Sequence, residues 1–332
     1  MLRRIKKISE NKRFNFILNL LLSLLIIIII FIGQNREPKE AKKITREQNE
    51  NYLLTNPILD CEDIYQTTTQ SLSYADLKKK IAEIKETYKA EKISVYYRDL
   101  NNGPWVGVSE EEKFSPASLL KIPVAMAFMK YAEDNPEILD KKVFVEEEDV
   151  VTNYRQNLKF DGLLEVNKEY TLFEVLELML TKSDNSAVHV ISKNIPEEYI
   201  DSVFHSVGVP YKDIRQEVEI SVKDYAAFFR VLFNSSYLDR EMSEKLLEIL
   251  SKTEYKNGLV GGIKDKDVII AHKFGERMTG ESFQLHDCGI VYYPENPYLI
   301  CIMTKGDDFY KQQVTIQMLS EFVYSEVSKK RE

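Results

Sequence analysis

Cysteine and histidine are scarce in this chain. Cys61, Cys288 and Cys301 are the only cysteines among 332 residues. An odd count allows at most one internal bridge. Cys288 and Cys301 fall in neighbouring apolar runs, where a cysteine reads as a small buried hydrophobe, so no disulfide is predicted. The four histidines, His189, His205, His272 and His286, show no metal-ligand spacing. That argues against a zinc enzyme, and neither a metal nor a cofactor is expected. No internal repeat is present. The body also lacks net basic charge. Residues 1–13 hold six basic residues against Glu10, a net +5, which leaves −13 on residues 34–332 of the total −8. An acidic body argues against nucleic acid as a partner.

One stretch lacks charge altogether. Residues 14–33, "FNFILNLLLSLLIIIIIFIG", run for 20 positions without an ionisable side chain. At ~1.5 Å rise per residue such a helix spans a hydrocarbon core of ~30 Å, and a single transmembrane anchor is predicted. The following "QNREPKEAKK" has no small-residue cleavage site, and no cysteine follows that could be lipidated, so the anchor is expected to be uncleaved. Basic residues lie on both sides, with Arg36, Lys39, Lys42, Lys43 and Arg46 after the run. The positive-inside bias is therefore small. Residues 1–13 are read as a cytoplasmic tail and the body as extracytoplasmic, chiefly because of the chemistry below.

Residues 34–72 read as a polar stalk, with "NPILDC" at 56–61 a short apolar island able to dock on the body. A helix is predicted over 73–90, with Leu77, Ile81, Ile84 and Tyr88 on one stripe. Two strands follow, "KISVYYRDL" and "WVGVS", joined by an Asn-Gly turn signal. From 116 to about 255 the chain reads as helix and loop. There, Thr171 and Glu174 form a capping box, Pro196 stands in the first turn of another helix and Gly208 past its end. Strands return at "DVIIAHKF", "FQLHDCGIVYY" and "YLICIMTK", and a helix over about 309–329 closes the chain. Strands that come as hairpins imply an antiparallel sheet. The expected fold is α+β: one sheet built from both ends of the domain, with an all-α lobe inserted over about 118–257 and a cleft at the seam.

Three short motifs fall around that seam. Ser118 and Lys121 open the helical block three residues apart, where they share a helix face. Ser183-Asp184-Asn185 follows the capped helix. Lys273-Phe274-Gly275 ends the first returning strand. Each has a plain structural reading: Ser118 as a cap and Lys121 as a surface residue, Ser183 and Asn185 as caps of the next helix, Lys273 as a strand-edge lysine. A second Ser-x-x-Lys at Ser9–Lys12 and a second Lys-x-Gly at Lys256–Gly258 show how weak each is alone. Their order and flanks carry the weight. A serine hydroxyl needs a base to attack at neutral pH, and a buried lysine near a second cation can supply one.

This constellation resembles the serine β-lactamase and penicillin-binding family, most closely the class A β-lactamases, over about residues 73–330. "FSPASLLKIPVAMAFM", "TLFEVLELMLTKSDNSA", "VIIAHKFGE" and "HDCGIVYYP" look like that family's segments in that family's order. The resemblance implies a two-lobe fold, an antiparallel sheet flanked by N- and C-terminal helices plus the all-α lobe. It implies Ser118 as nucleophile, Lys121 as base, and Ser183 as proton relay to the leaving nitrogen. Asn185 would hold the acyl side-chain amide, Lys273 would attract the substrate carboxylate, and the N–H groups of Ser118 and Glu276, beside Gly275, would form the oxyanion hole. Two departures stand out. The family's Glu-Pro-Glu-Leu-Asn-like loop, which activates the deacylating water, is missing; in 208–226 Glu217 and Glu219 are the only candidates. Phe274 replaces a Thr or Ser and cannot hydrogen-bond a carboxylate.

Three readings follow. The first is a membrane-anchored acyl-serine hydrolase that opens a β-lactam amide and deacylates slowly. The second is a D-alanyl-D-alanine peptidase or transpeptidase of the cell wall. The third is a non-catalytic envelope protein that keeps the pocket for binding.

Overall fold

The computed structural model describes residues 52–56, 72–101, 103–151, 156–209 and 218–329, all within one of the chain's two units, Glu47–Glu332. The basic tail, the apolar run 14–33, most of the stalk, Cys61 and Glu217 lie outside the described residues. Among the described residues no helix is long and apolar enough to cross a membrane.

Helix α1, Tyr74–Tyr88, starts at the Ser73 cap and buries Leu77, Ile81 and Ile84, the stripe its periodicity predicts. Strands β1 (Lys92–Asp99), β2 (Trp105–Val108) and the short β3 (Lys113–Phe114) follow. The helical region holds α2 (Lys121–Asp134), β4 (Lys142–Phe144) and β5 (Glu169–Thr171), then α3 (Leu172–Thr181), α4 (Asn185–Lys193) and α5 (Glu197–Val207). It continues with β6 (Ile220–Ser221), α6 (Val222–Phe233) and α7 (Arg240–Ser251). Strands β7 (Ile270–Thr279), β8 (Ser282–Val291) and β9 (Tyr298–Gly306) and helix α8 (Phe309–Lys329) complete the chain.

The five long strands form one antiparallel sheet in the order β2-β1-β9-β8-β7. Both faces are covered, which explains why β9 reads as an unbroken apolar run. Tyr298, Ile300 and Ile302 pack with α1 and α8, while Leu299, Cys301 and Met303 join the core of the helical region. That split is the period-two alternation of a strand. The predicted capping box of α3 is present: Glu174 N–H donates to Thr171 Oγ1 at 3.2 Å and Thr171 N–H to Glu174 Oε2 at 2.7 Å. It places Leu172, Val175, Leu176, Met179 and Leu180 in the core, at ~1.5–3 kcal/mol for each fully buried large side chain.

Three expectations change. Cys288 and Cys301 are direct cross-strand neighbours on β8 and β9 and are joined as a disulfide, with Cα atoms 4.0 Å apart. Apolar patterning locates the two strands but not their register, and register decides the pairing. Lys273-Phe274-Gly275 lies in the middle of β7, not at its end, because the polar continuation through Thr279 stays paired to β8. Finally, part of the stalk belongs to the body. Leu54 and Thr55 are buried, and their N–H groups donate to the buried Glu244 carboxylate at 2.6 and 2.7 Å. Tyr292 Oη donates to Leu54 O at 2.9 Å, and the Arg240 guanidinium stacks on the Tyr52 ring. The hydrogen-bonded partners lie 189 to 238 residues apart in sequence, so no local pattern announces the contact.

Candidate active site

Ser118 sits in a 3₁₀ turn, Ala117–Leu120, and the α-helix begins only at Lys121. The site is therefore tighter than the helix N-terminus that the spacing suggests. In a 3₁₀ turn, residues i and i+3 eclipse, and Lys121 Nζ reaches Ser118 Oγ at 3.0 Å. Two non-glycine residues in the left-handed region flank this point, Ala117 (φ 49°) and Ser183 (φ 57°). Such backbone is costly for an L-residue and persists where the surroundings hold it.

Ser115, three residues before Ser118, is gripped from the sheet at all its polar groups. Its N–H donates to Gln284 Oε1 at 3.1 Å, its carbonyl accepts from His286 Nε2 at 2.9 Å, and its hydroxyl accepts from Arg277 at 2.8 Å. His286 Nδ1 accepts from Thr304 N at 3.3 Å, so the ring is neutral with its proton on Nε2, and burial holds its pKa down at about 4. From the other side, the buried Tyr225 of α6 donates to Leu119 O at 3.0 Å. These positioning residues carry no motif, and nothing in the sequence singles them out.

Lys121 is buried, with 3 % of its surface exposed. Its amine donates to Ser183 O at 2.6 Å, Asn185 Oδ1 at 2.7 Å and Ser183 Oγ at 3.0 Å, besides Ser118. Two of these partners, a carbonyl and an amide oxygen, can only accept. Two N–H bonds are thus committed, and the remaining position of the nitrogen faces hydroxyls that can donate or accept. Burial lowers the Lys121 pKa to about 7, against the opposing pull of Asp184 and Glu276. Asp184 is the N-cap of α4, accepting from Ser186 N and Ala187 N, and its second oxygen takes Leu164 N at 2.7 Å. The buried carboxylate fixes Ser183 and Asn185 on either side of the Lys121 amine.

Strand β7 is the outer strand of the sheet, and it runs against the Ser118 turn at Gly275. A Cβ there would lie 2.9 Å from Pro116 O and 3.1 Å from Leu119 N, so only glycine lets the strand approach this closely. Lys273 is wholly buried on the same strand, whereas the rival Lys256 is exposed in the loop after α7. The Lys273 amine donates to Phe274 O at 2.9 Å and lies 4.0 Å over the Phe274 ring. Burial, and then the charge of Lys121, push the Lys273 pKa well down. Burial is the larger cause for both amines, and the repulsion between Lys121 and Lys273 adds to it.

Glu276 reaches across the cleft. Its carboxylate accepts from Asn157 N (2.9 Å), Asn157 Nδ2 (3.1 Å) and Leu158 N (3.0 Å). Glu219 is exposed, opposite the Ser115 end of β3, and its charge is felt by Lys92 rather than by Lys121. It is not brought to the reacting serine. Glu217, the other candidate for deacylation, lies outside the described residues. Ser118, Lys121, Ser183, Asn185, Gly275 and Glu276 therefore meet in one place, with Lys273 sealed behind them.

The sequence model of the beta-lactamase enzyme family matches residues 76–327. The chain belongs to that family. Its fold is shared with solved beta-lactamase-like structures. PBP-A is 23% identical and superimposes with a TM-score of 0.66 over 79% of this chain and 100% of PBP-A. A β-lactamase from Chitinophaga pinensis and a class A β-lactamase from Mycobacterium abscessus are each 18% identical, with a TM-score of 0.66 over 76% of this chain and 99% of theirs. At these identities the likeness speaks to the fold, which for a beta-lactamase family member is the α+β arrangement of sheet and helices found here.

Proposed function

We propose that this protein is a membrane-anchored acyl-serine hydrolase that opens a β-lactam amide through an acyl-enzyme on Ser118 and releases the product slowly. The observation that carries the reading is the Lys121 amine, 3.0 Å from both the Ser118 and the Ser183 hydroxyls. With a pKa near 7, much of Lys121 is uncharged at neutral pH and its lone pair can take the Ser118 proton. The Ser118 oxygen then attacks the lactam carbonyl, and the oxyanion is received by the N–H groups of Ser118 and Glu276. The C–N bond breaks as the proton passes from Lys121 through Ser183 to the leaving nitrogen. Asn185, with its oxygen on Lys121, presents its NH₂ group to the acyl side-chain amide.

Slow release rests on the carboxylates. Among the described residues, Asp184 and Glu276 are the two that act on the Lys121 amine, and both are occupied, one in a helix cap and one on the 157–158 backbone. Neither is poised to activate water. Acylation by a β-lactam is supported by one comparison: the L158E mutant of PBP-A, 23% identical, forms an acyl-enzyme complex with penicillin G. The second reading is a D-alanyl-D-alanine peptidase or transpeptidase working through the same serine. The apolar run 14–33 would anchor the chain in the cell membrane with the catalytic domain outside.

The test uses the full chain in detergent micelles, because residues 52–56 pack on the body. Penicillin G is expected to leave one adduct on the Ser118 peptide that persists for minutes or longer, and Ser118→Ala is expected to show none. Fast release of penicilloate would replace slow deacylation with β-lactamase turnover. Absence of any Ser118 adduct would overturn the enzymatic reading.

A further inference from the structure

Aromatic rings pack against β7 next to the Ser118 turn. Phe274 is 2 % exposed and its ring packs, tilted, against Tyr255, at 4.7 Å between centroids, and Phe160, at 5.6 Å. Beneath it the Lys273 amine has no exposed surface and gives a hydrogen bond to Phe274 O. Lys273 is therefore covered by its own neighbour, and Arg277, further along β7, is held on the Ser115 hydroxyl at 2.8 Å. The cover is held from both ends. Phe160 belongs to the segment whose residues Asn157 and Leu158 are clasped by Glu276 through three hydrogen bonds. Glu276 itself sets a negative charge at the cleft, one residue after Gly275. Burial and the charge of Lys121 also hold Lys273 toward its neutral form.

We propose that Phe274, with Phe160 laid over it, is a specificity-determining residue that makes the enzyme select acyl donors carrying no carboxylate next to the scissile bond, namely lactams, esters or amides that are neutral there. This rests on Ser118 and Lys121 working as described above, and it narrows the substrate class of that site. The bond changes are the same: the Ser118 Oγ–acyl bond forms, the donor's C–N or C–O bond breaks, and the serine proton leaves with the departing nitrogen or oxygen by way of Lys121.

The experiment compares two forms of one donor. The full chain in micelles is mixed with penicillin G or with penicillin G methyl ester, and the second-order rate of Ser118 acylation is read by intact mass. A fluorophosphonate serves as a charge-free serine probe. The ester is expected to react at least as fast as the acid. Phe274→Thr is expected to shift the ester-to-acid rate ratio toward the acid by about tenfold or more, what one charge-assisted hydrogen bond provides. Phe160→Ala, which removes the ring packed against Phe274 without altering β7, is expected to shift it the same way. Wild-type protein that prefers the acid overturns the proposal, as does a ratio unmoved in both variants. A Ser118 that takes the fluorophosphonate but neither penicillin form also overturns it. A Ser118 inert to all three reagents, the fluorophosphonate included, removes instead the nucleophile reading beneath it.

Discussion

Replacing Lys121 by methionine is expected to slow acylation of Ser118 by about 10³-fold, within the 10²–10⁴-fold range that a positioned general base supplies. Methionine keeps an unbranched side chain of similar length in a site that is almost entirely buried. What it loses is the nitrogen that stands 3.0 Å from the Ser118 hydroxyl and takes its proton. The carbonyl of Ser183 and the amide oxygen of Asn185 also lose a donor. Near-ultraviolet circular dichroism of the variant checks that the fold is retained. The rate is measured as fluorophosphonate labelling of Ser118, which needs no substrate recognition. A variant labelled as fast as the parent would make Lys121 a structural lysine.

The second large effect is expected at Gly275. Alanine there places a methyl carbon 2.9 Å from Pro116 O and 3.1 Å from the Leu119 backbone nitrogen. Both contacts are backbone, so the turn that carries Ser118 must give way or β7 must retreat from it. A displacement approaching 1 Å at a reacting group costs on the order of 10²-fold in rate. Acylation is expected to fall by about that factor, while overpacking costs stability only ~1–3 kcal/mol. Labelling rate and thermal unfolding of Gly275→Ala, measured side by side, separate the two. An unchanged rate would show that β7 does not set the position of Ser118.

The parts of the site that the sequence discloses are those whose chemistry is local. Ser118 and Lys121 declare themselves by spacing, since three residues bring two side chains to one face in either a 3₁₀ or an α turn. Ser183-Asp184-Asn185 stands out as a cap signal at the head of α4, although the cap is Asp184 and not the Ser183 or Asn185 that the pattern offers. Thr171 and Glu174 mark the start of α3 in the same way. The antiparallel sheet follows from hairpin signals, and the two helices that cover one of its faces from their apolar stripes.

What stays hidden depends on contacts between distant segments. The disulfide of Cys288 with Cys301 needs the strand register. The clasp on Ser115 joins residues 162 to 171 positions apart, from two strands whose pattern shows only that they are strands. Leu54 and Thr55 look like stalk because their partner, Glu244, is one of three glutamates in an amphipathic helix, and no local pattern marks it as the buried one. Lys273 is the clearest case. Its place in the motif is legible, but whether its amine faces the cleft or lies under the ring of its neighbour depends on how Tyr255 and Phe160 pack.

The most direct test of the central claim is the pH dependence of the second-order rate at which Ser118 is acylated in the full chain. A base that must be uncharged, with a pKa of about 7, predicts a rate that climbs roughly tenfold per pH unit below that value and levels off above it. A rate that is flat through neutrality, or that keeps climbing toward the ordinary lysine value of 10.5, would contradict it.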